Sequence, residues 1–248
     1  MTLLAKTGHF AQFSWKIILR VFTLRWSLDE TLYHLSQTLF RCFLPVIAVV
    51  LPFGMVISLQ GLEVFHMFGA ERLLASLASV AIIRELSPVL ASVLVAAQGG
   101  SANTAELGSM ATEEELAATA VMGLDPIKIH VVPRVIAMTV ACPILNVAGT
   151  TAGICGSFFT AVYVKGENAG IFIDQLWEYT TPFDITAAFI KTAVFGLIIG
   201  LVSTYLGYYA KGGAAGVGRA VNASVVNSVL LFIAANYLLT SAMFGAMS

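Results

Sequence analysis

Three ionisable side chains stand inside otherwise apolar stretches: Arg84 and Glu85 within residues 73–97, and Lys191 at the head of residues 192–210. A charge at membrane depth is costly unless it is paired or faces water, so these residues mark either a polar path or an internal ion pair. Both readings place Arg84, Glu85 and Lys191 inside a helix bundle. A second grouping is Thr112-Glu113-Glu114-Glu115-Leu116, continuing through Ala120-Val121-Met122-Gly123 to Asp125-Pro126. Thr followed three residues later by Glu matches a capping box, and carboxylates in a first turn suit the positive end of the helix dipole. Gly123 can close the helix in a left-handed conformation, and Asp125-Pro126 prevents its continuation. The pattern predicts a helix over residues 112–123, about three turns long. Its acidic start does not suit an anionic lipid surface, so a protein partner is the better occupant of its outer face.

Other chemistry finds little support. Gly213-Ala214-Ala215-Gly216-Val217-Gly218-Arg219-Ala220 looks like a phosphate-binding loop, but Arg219 stands where the lysine is needed and Ala220 where a hydroxyl would hold Mg²⁺. That segment is read as a flexible turn, and ATP-driven work falls to another chain. No Ser-His-Asp arrangement, H-E-x-x-H motif or pair of catalytic carboxylates is present. His9, His34, His66 and His130 are scattered near the ends of apolar runs, and Cys42, Cys142 and Cys155 form no metal-ligand spacing. No catalytic residue, metal site or cofactor is therefore expected in this chain.

The elements that must carry these residues are membrane-spanning. Of 248 residues, 58% are hydrophobic and 11% charged, far below the roughly one quarter charged of soluble domains. A net charge of −1 offers no basic face to nucleic acid. A helix needs about 20 apolar residues to cross the hydrocarbon. Residues 42–62, 73–97, 135–164, 192–210 and 220–244 each suffice, the fourth extending back to about residue 185. Pro45, Pro52 and Pro143 are expected to kink these helices without ending them. Gly149/Gly153 and Gly196/Gly200 provide close-approach faces, within one chain or across a dimer.

Orientation follows from the excess of Lys and Arg on the cytoplasmic side. With the N-terminus inside, Lys6, Lys16, Arg20, Arg25, Arg41, Lys128, Arg134, Lys211 and Arg219 are cytoplasmic, and only Arg72 and Lys165 are outside. Five crossings then put the C-terminus outside and make residues 165–184 an external excursion. No cleaved signal is expected at the N-terminus. Phe10, Phe13, Ile17, Val21 and Leu24 recur at helical spacing, with Lys16 and Arg20 on another face. This reads as an amphipathic helix in the inner headgroup layer, or alternatively one packed against other subunits.

Arg84-Glu85-Leu86-Ser87-Pro88-Val89-Leu90, Ala105-Glu106-Leu107-Gly108, the stretch from Thr112 to Pro126, Val132-Pro133-Arg134 and the Lys191-Thr192-Ala193-Val194-Phe195-Gly196 stretch together resemble the MlaE/YrbE permeases of Mla and Mce lipid-transport systems. Gly207-Tyr208, the Gly-rich loop and Met243-Phe244-Gly245 extend the likeness over nearly the whole chain after about Leu28. Where many members carry a Gly-Arg pair after the second crossing, this chain reads Ala97-Gln98-Gly99-Gly100. The resemblance implies a dimer with a second permease copy or paralogue, cytoplasmic ABC ATPase subunits that bind ATP and Mg²⁺, and an Mce-domain lipid-binding protein on the outer side. It also implies a phospholipid or related substrate, and makes Glu113, Glu114, Glu115, Leu116, Ala120, Val121, Met122 and Gly123 the coupling helix against which the ATPase docks.

The resulting expectation is an all-α membrane protein with an interfacial segment over residues 1–41 and a permease domain over residues 42–248. It would be the membrane subunit of an ATP-driven lipid transporter in the bacterial inner membrane, not itself an enzyme. An ion-coupled carrier in which Glu85 titrates, or a structural anchor for an envelope complex, are the rival readings.

Overall fold

The computed structural model describes residues 3–22, 27–70 and 73–245; Leu24, Arg25 and Arg72 lie outside the described residues, as does the Lys6 side chain. Among the described residues the chain is helical with no strand. We label the helices α1 (Leu3–Phe22), α2 (Leu28–Met67), α3 (Leu74–Thr112), α4 (Glu115–Val121), α5 (Ile127–Val164), α6 (Ala169–Tyr179), α7 (Pro182–Tyr208) and α8 (Gly213–Phe244). Five of them, α2, α3, α5, α7 and α8, are long and apolar enough to cross a membrane. At 27 to 40 residues each exceeds the span requirement of about 20, so the helices run past the apolar segments that announce them. Pro45 and Pro52 fall inside α2, and Pro143 inside α5.

Local chemistry sets several of the boundaries. Asp29 and Glu30 lie in the first turn of α2, at the positive end of its dipole. Asn168 starts α6 by accepting from the amides of Gly170 and Ile171. α7 begins with a reciprocal cap: the Thr181 amide donates to Asp184 Oδ2 at 3.1 Å, and the Asp184 amide donates to Thr181 Oγ1 at 3.4 Å. Pro182 occupies the first helical position, where a missing N–H costs nothing. The Gly213–Ala220 segment is not a flexible turn. It forms the opening turns of α8, the chain reversal being confined to Gly212 and Gly213 at φ +91° and +62°.

The chain divides into two compact units, Met1–Leu39 with Val95–Ala141 and Phe195–Ala235, and Phe40–Leu94 with Cys142–Val194 and Asn236–Ser248. In the first, Phe13 and Ile17 of α1 are buried against Val131, Val132 and Val135 of α5 and Leu201 of α7. Phe10, Phe13, Ile17 and Val21 of the amphipathic face of α1 therefore pack on this chain's own helices. Among its described large apolar side chains, Trp15 and Leu19 remain exposed. His9 contacts the Tyr205 hydroxyl at 3.1 Å, and Arg20 pairs with Asp125 at 2.7 Å, which fastens both ends of the described helix.

In the second unit α2 and α5 approach backbone to backbone. A Cβ on Gly54 would overlap the Gly153 carbonyl, one on Gly156 would overlap the Leu51 carbonyl, and a turn further on the Ser58 and Ser157 hydroxyls meet at 2.5 Å. Gly149 and Gly153 thus serve contacts within one chain. Gly54→Val should force these helices apart and cost ~1–3 kcal/mol or more. Thermal unfolding of the purified permease measures it against Gly218→Val, where a Cβ meets nothing within 4 Å.

Candidate functional site

The second unit gathers Arg84, Glu85 and Lys191 into one polar cluster. Arg84 and Glu85 sit in a π-helical stretch of α3, Val80–Leu86, one of the widened turns that recur at functional sites. Just beyond it, Pro88 has no N–H to donate to the carbonyl four residues earlier, that of Arg84. Lys191 supplies the missing donor, its Nζ lying 2.8 Å from the Arg84 carbonyl oxygen. The same ammonium donates to Glu85 Oε1 at 3.0 Å and Thr240 Oγ1 at 2.8 Å, so all three of its protons are used. Glu85 in turn accepts from Thr240 at 2.9 Å through Oε1 and from Asn236 Nδ2 at 3.0 Å through Oε2.

The two partners differ in access. The Lys191 side chain is fully enclosed, whereas 39% of the Glu85 side chain remains exposed. Beside them, Arg84 Nε lies 2.9 Å from Asp184 Oδ1 and Nη2 donates to Oδ2 at 3.2 Å, with the guanidinium 4.8 Å from the Phe244 ring centroid. Asp184 thereby caps α7 and neutralises Arg84. Asp184, Asn236 and Thr240 are absent from the expectations drawn from sequence. Asp184 was legible in Thr181-Pro182-Phe183-Asp184, a capping sequence read instead as the end of a loop.

The first unit holds the second grouping, with a different local form. Thr112 does not cap a helix start; it belongs to the last turn of α3, its Oγ1 donating to the Gly108 and Ser109 carbonyls at 3.0 Å. The break falls at Glu114, whose φ of +63° is the one left-handed non-glycine backbone among the described residues. α4 is consequently seven residues, about two turns. Its other end is as expected: Gly123 at φ +79° lets its amide reach the Ala120 carbonyl at 3.0 Å and the Leu124 amide reach the Thr119 carbonyl at 3.2 Å. Asp125 then caps α5 through the Ile127 amide at 3.1 Å.

Along α4, Leu116 is buried, and Glu113, Glu114, Glu115 and Ala120 are exposed. Val121 and Met122 are 88% and 68% exposed, and Leu124 adds to the same uncovered apolar end. Thr119, buried on the inward side, lies 3.4 Å from His130 Nε2. Arg134, one turn beyond His130, is enclosed with His34 at 3.3 Å and Glu106 at 3.5 Å. The short helix is thus braced from beneath and carries bare apolar side chains at its closing end.

Five helices long and apolar enough to cross a membrane, an enclosed lysine paired with a glutamate, and a short helix between the second and third of them are the features with which known proteins can be compared. The Permease MlaE family model matches residues 31–242, covering all of these elements except α1. The chain belongs to the MlaE permease family. Among its relatives, a probable ABC transporter permease protein of Rickettsia prowazekii is 38% identical over 213 residues, spanning 85% of this chain and 82% of the relative. The intermembrane phospholipid transport system permease protein MlaE of Haemophilus influenzae is 33% identical over 194 residues, 78% of this chain and 74% of that protein. The chloroplastic protein trigalactosyldiacylglycerol 1 of Arabidopsis thaliana is 37% identical over 191 residues, 77% of this chain and 55% of the relative. This MlaE-family permease is thus a multi-pass transmembrane subunit of the ABC transporter class and not itself an enzyme.

Proposed function

We propose that this permease moves a phospholipid or related lipid between the bacterial inner membrane and the cell envelope, driven by ATP hydrolysed on a separate cytoplasmic ATPase. The observation that carries this reading is the match of the family model over residues 31–242, joined to a relative named for intermembrane phospholipid transport. The N-terminus and α4 lie in the cytoplasm and the C-terminus outside, as the distribution of Lys and Arg requires. α4 is the coupling helix, and Val121, Met122 and Leu124 are its contacts to the ATPase. ATP and Mg²⁺ are bound there and not by this chain. A second permease copy or paralogue completes the lipid path, and an Mce-domain lipid-binding protein receives or delivers lipid on the outer side.

Within that path Glu85 and Lys191 have separate parts. The partly exposed Glu85 lines the path, and the enclosed Lys191 holds it in place while closing the gap left by Pro88. Reconstitution into vesicles carrying a fluorescent phospholipid tests the whole reading. Transfer should require the co-purified ATPase and ATP, with the permease alone inactive. Transfer by the permease alone under a proton or sodium gradient would overturn it in favour of an ion-coupled carrier.

A further inference from the structure

In the first unit the corner between α4 and α5 is tied to a third helix. Asp125 follows directly on the apolar end of α4, where Val121, Met122 and Leu124 are exposed. Its carboxylate is used twice. Oδ1 accepts from the Ile127 amide at 3.1 Å and opens α5, while Oδ2 lies 2.7 Å from Nη2 of Arg20, in the last turn of α1. The Asp125 carbonyl also accepts from the Ile129 amide at 3.2 Å, so the residue that holds Arg20 stands on the first turn of α5.

α1 carries that tie to α7. Phe13 and Ile17 are buried against Val132 and Val135 of α5 and Leu201 of α7. Earlier in α1, His9 contacts the Tyr205 hydroxyl at 3.1 Å, and its ring stands edge-on to that of Tyr209 at 4.8 Å. One helix therefore meets the α4–α5 corner at its closing end and the last turns of α7 along its length. The ion pair is not what seats α1. The Arg20 and Asp125 side chains are 32% and 35% exposed, and a pair so open to solvent adds little to stability. Burial of Phe13 and Ile17 already supplies the adhesion. What the pair adds is direction, a short charge-assisted bond that fixes the closing end of α1 against the corner.

We propose that Arg20 is a positioning residue for coupling: through Asp125 it locks α1 to the corner beside the ATPase contact, so that a displacement of α4 reaches α7 through α1 as well as through α5. Packed side chains and ion pairs that link rigid helices are the physical carriers of such coupling. The proposal rests on the reading of α4 as the coupling helix. It gives α1 a part in the transport cycle that its apolar packing alone would not require.

The test uses the complete complex in vesicles, with ATP hydrolysis and transfer of a fluorescent phospholipid measured on the same preparation. Arg20→Ala should leave the ATPase bound and hydrolysing at the wild-type rate, while lipid transferred per ATP falls at least about tenfold. Arg20→Lys should restore most of that ratio, because an ammonium still pairs with the carboxylate. Asp125→Asn keeps an oxygen to cap Ile127 and loses the charge, so it should lower the ratio as far as Arg20→Ala does, and the double variant no further. A pair that only holds the fold together would lower thermal stability, hydrolysis and transfer in parallel. That parallel loss, an unchanged ratio in Arg20→Ala, or additive losses in the double variant would each overturn the proposal. The wild type in the same vesicles separates the two readings. An unchanged ratio in Arg20→Ala beside a coupled wild type defeats the role of Arg20 alone, and a wild type without ATP-dependent transfer defeats both.

Discussion

Glu85→Ala is expected to destabilise the permease more than Lys191→Met, although both variants lose lipid transfer. Removing Glu85 strands a fully enclosed ammonium that retains only the Arg84 carbonyl and the Thr240 hydroxyl. Breaking a buried pair from that side costs about 3–5 kcal/mol. Removing Lys191 instead leaves a carboxylate that is 39% exposed and still accepts from Asn236 and Thr240. The main structural loss is then the unsatisfied Arg84 carbonyl, about 1–3 kcal/mol. Thermal unfolding of each variant in nanodiscs gives the order, and the double variant Glu85→Gln/Lys191→Met should regain part of the Glu85→Ala loss because no charge is left stranded. Lipid transfer separates the two roles. If Glu85 lines the path and Lys191 positions it, Glu85→Gln should abolish transfer while losing less stability than Glu85→Ala, because the amide still accepts from the enclosed ammonium. Equal stability of Glu85→Ala and Lys191→Met would show that the enclosure of Lys191 does not govern the pair.

The long-range members of this cluster explain what sequence reading reached and what it missed. Arg84, Glu85 and Lys191 announced themselves because a charge in an apolar run violates the local pattern. Asn236 and Thr240 violate nothing in α8, and only the packing of α8 against α3 and α7 gives them partners. The five crossings were legible from length and composition, but their ends were not. Residues 98–112 look too polar to continue α3, yet Asn103, Thr104, Leu107 and Gly108 are buried, with Thr104 donating to the Ser203 carbonyl at 3.0 Å. Neighbouring helices satisfy the polar groups that a hydropathy argument counts against a helix. The glycines of residues 213–218 misled in a similar way. Gly216 is the starkest case, since it is glycine because a Cβ would overlap the Lys211 carbonyl inside a helix.

Thr112-Glu113-Glu114-Glu115 misled for a local reason. A threonine hydroxyl caps a following amide or bonds a preceding carbonyl, and the two look alike in sequence. Here the preceding helix takes Thr112, and the left-handed Glu114 makes the break. With α4 opening at Glu115, the proposed docking surface moves to its closing end. Leu116, which a helix opening at residue 112 would leave free to present outward, is buried, so its replacement by Asp would damage the fold of α4 without testing the contact. Val121 and Met122 carry the exposed apolar surface, and fully burying two such side chains contributes about 1.5–3 kcal/mol each.

The double variant Val121→Asp/Met122→Asp in a co-expressed complex is therefore the most direct measurement. Its side chains point away from the packed face, so the permease should keep its thermal stability. Retention of the ATPase through affinity purification should fall at least about a hundredfold, and ATP-dependent lipid transfer should fall with it. Normal retention of the ATPase by a folded double variant would contradict the assignment of α4 as its docking site.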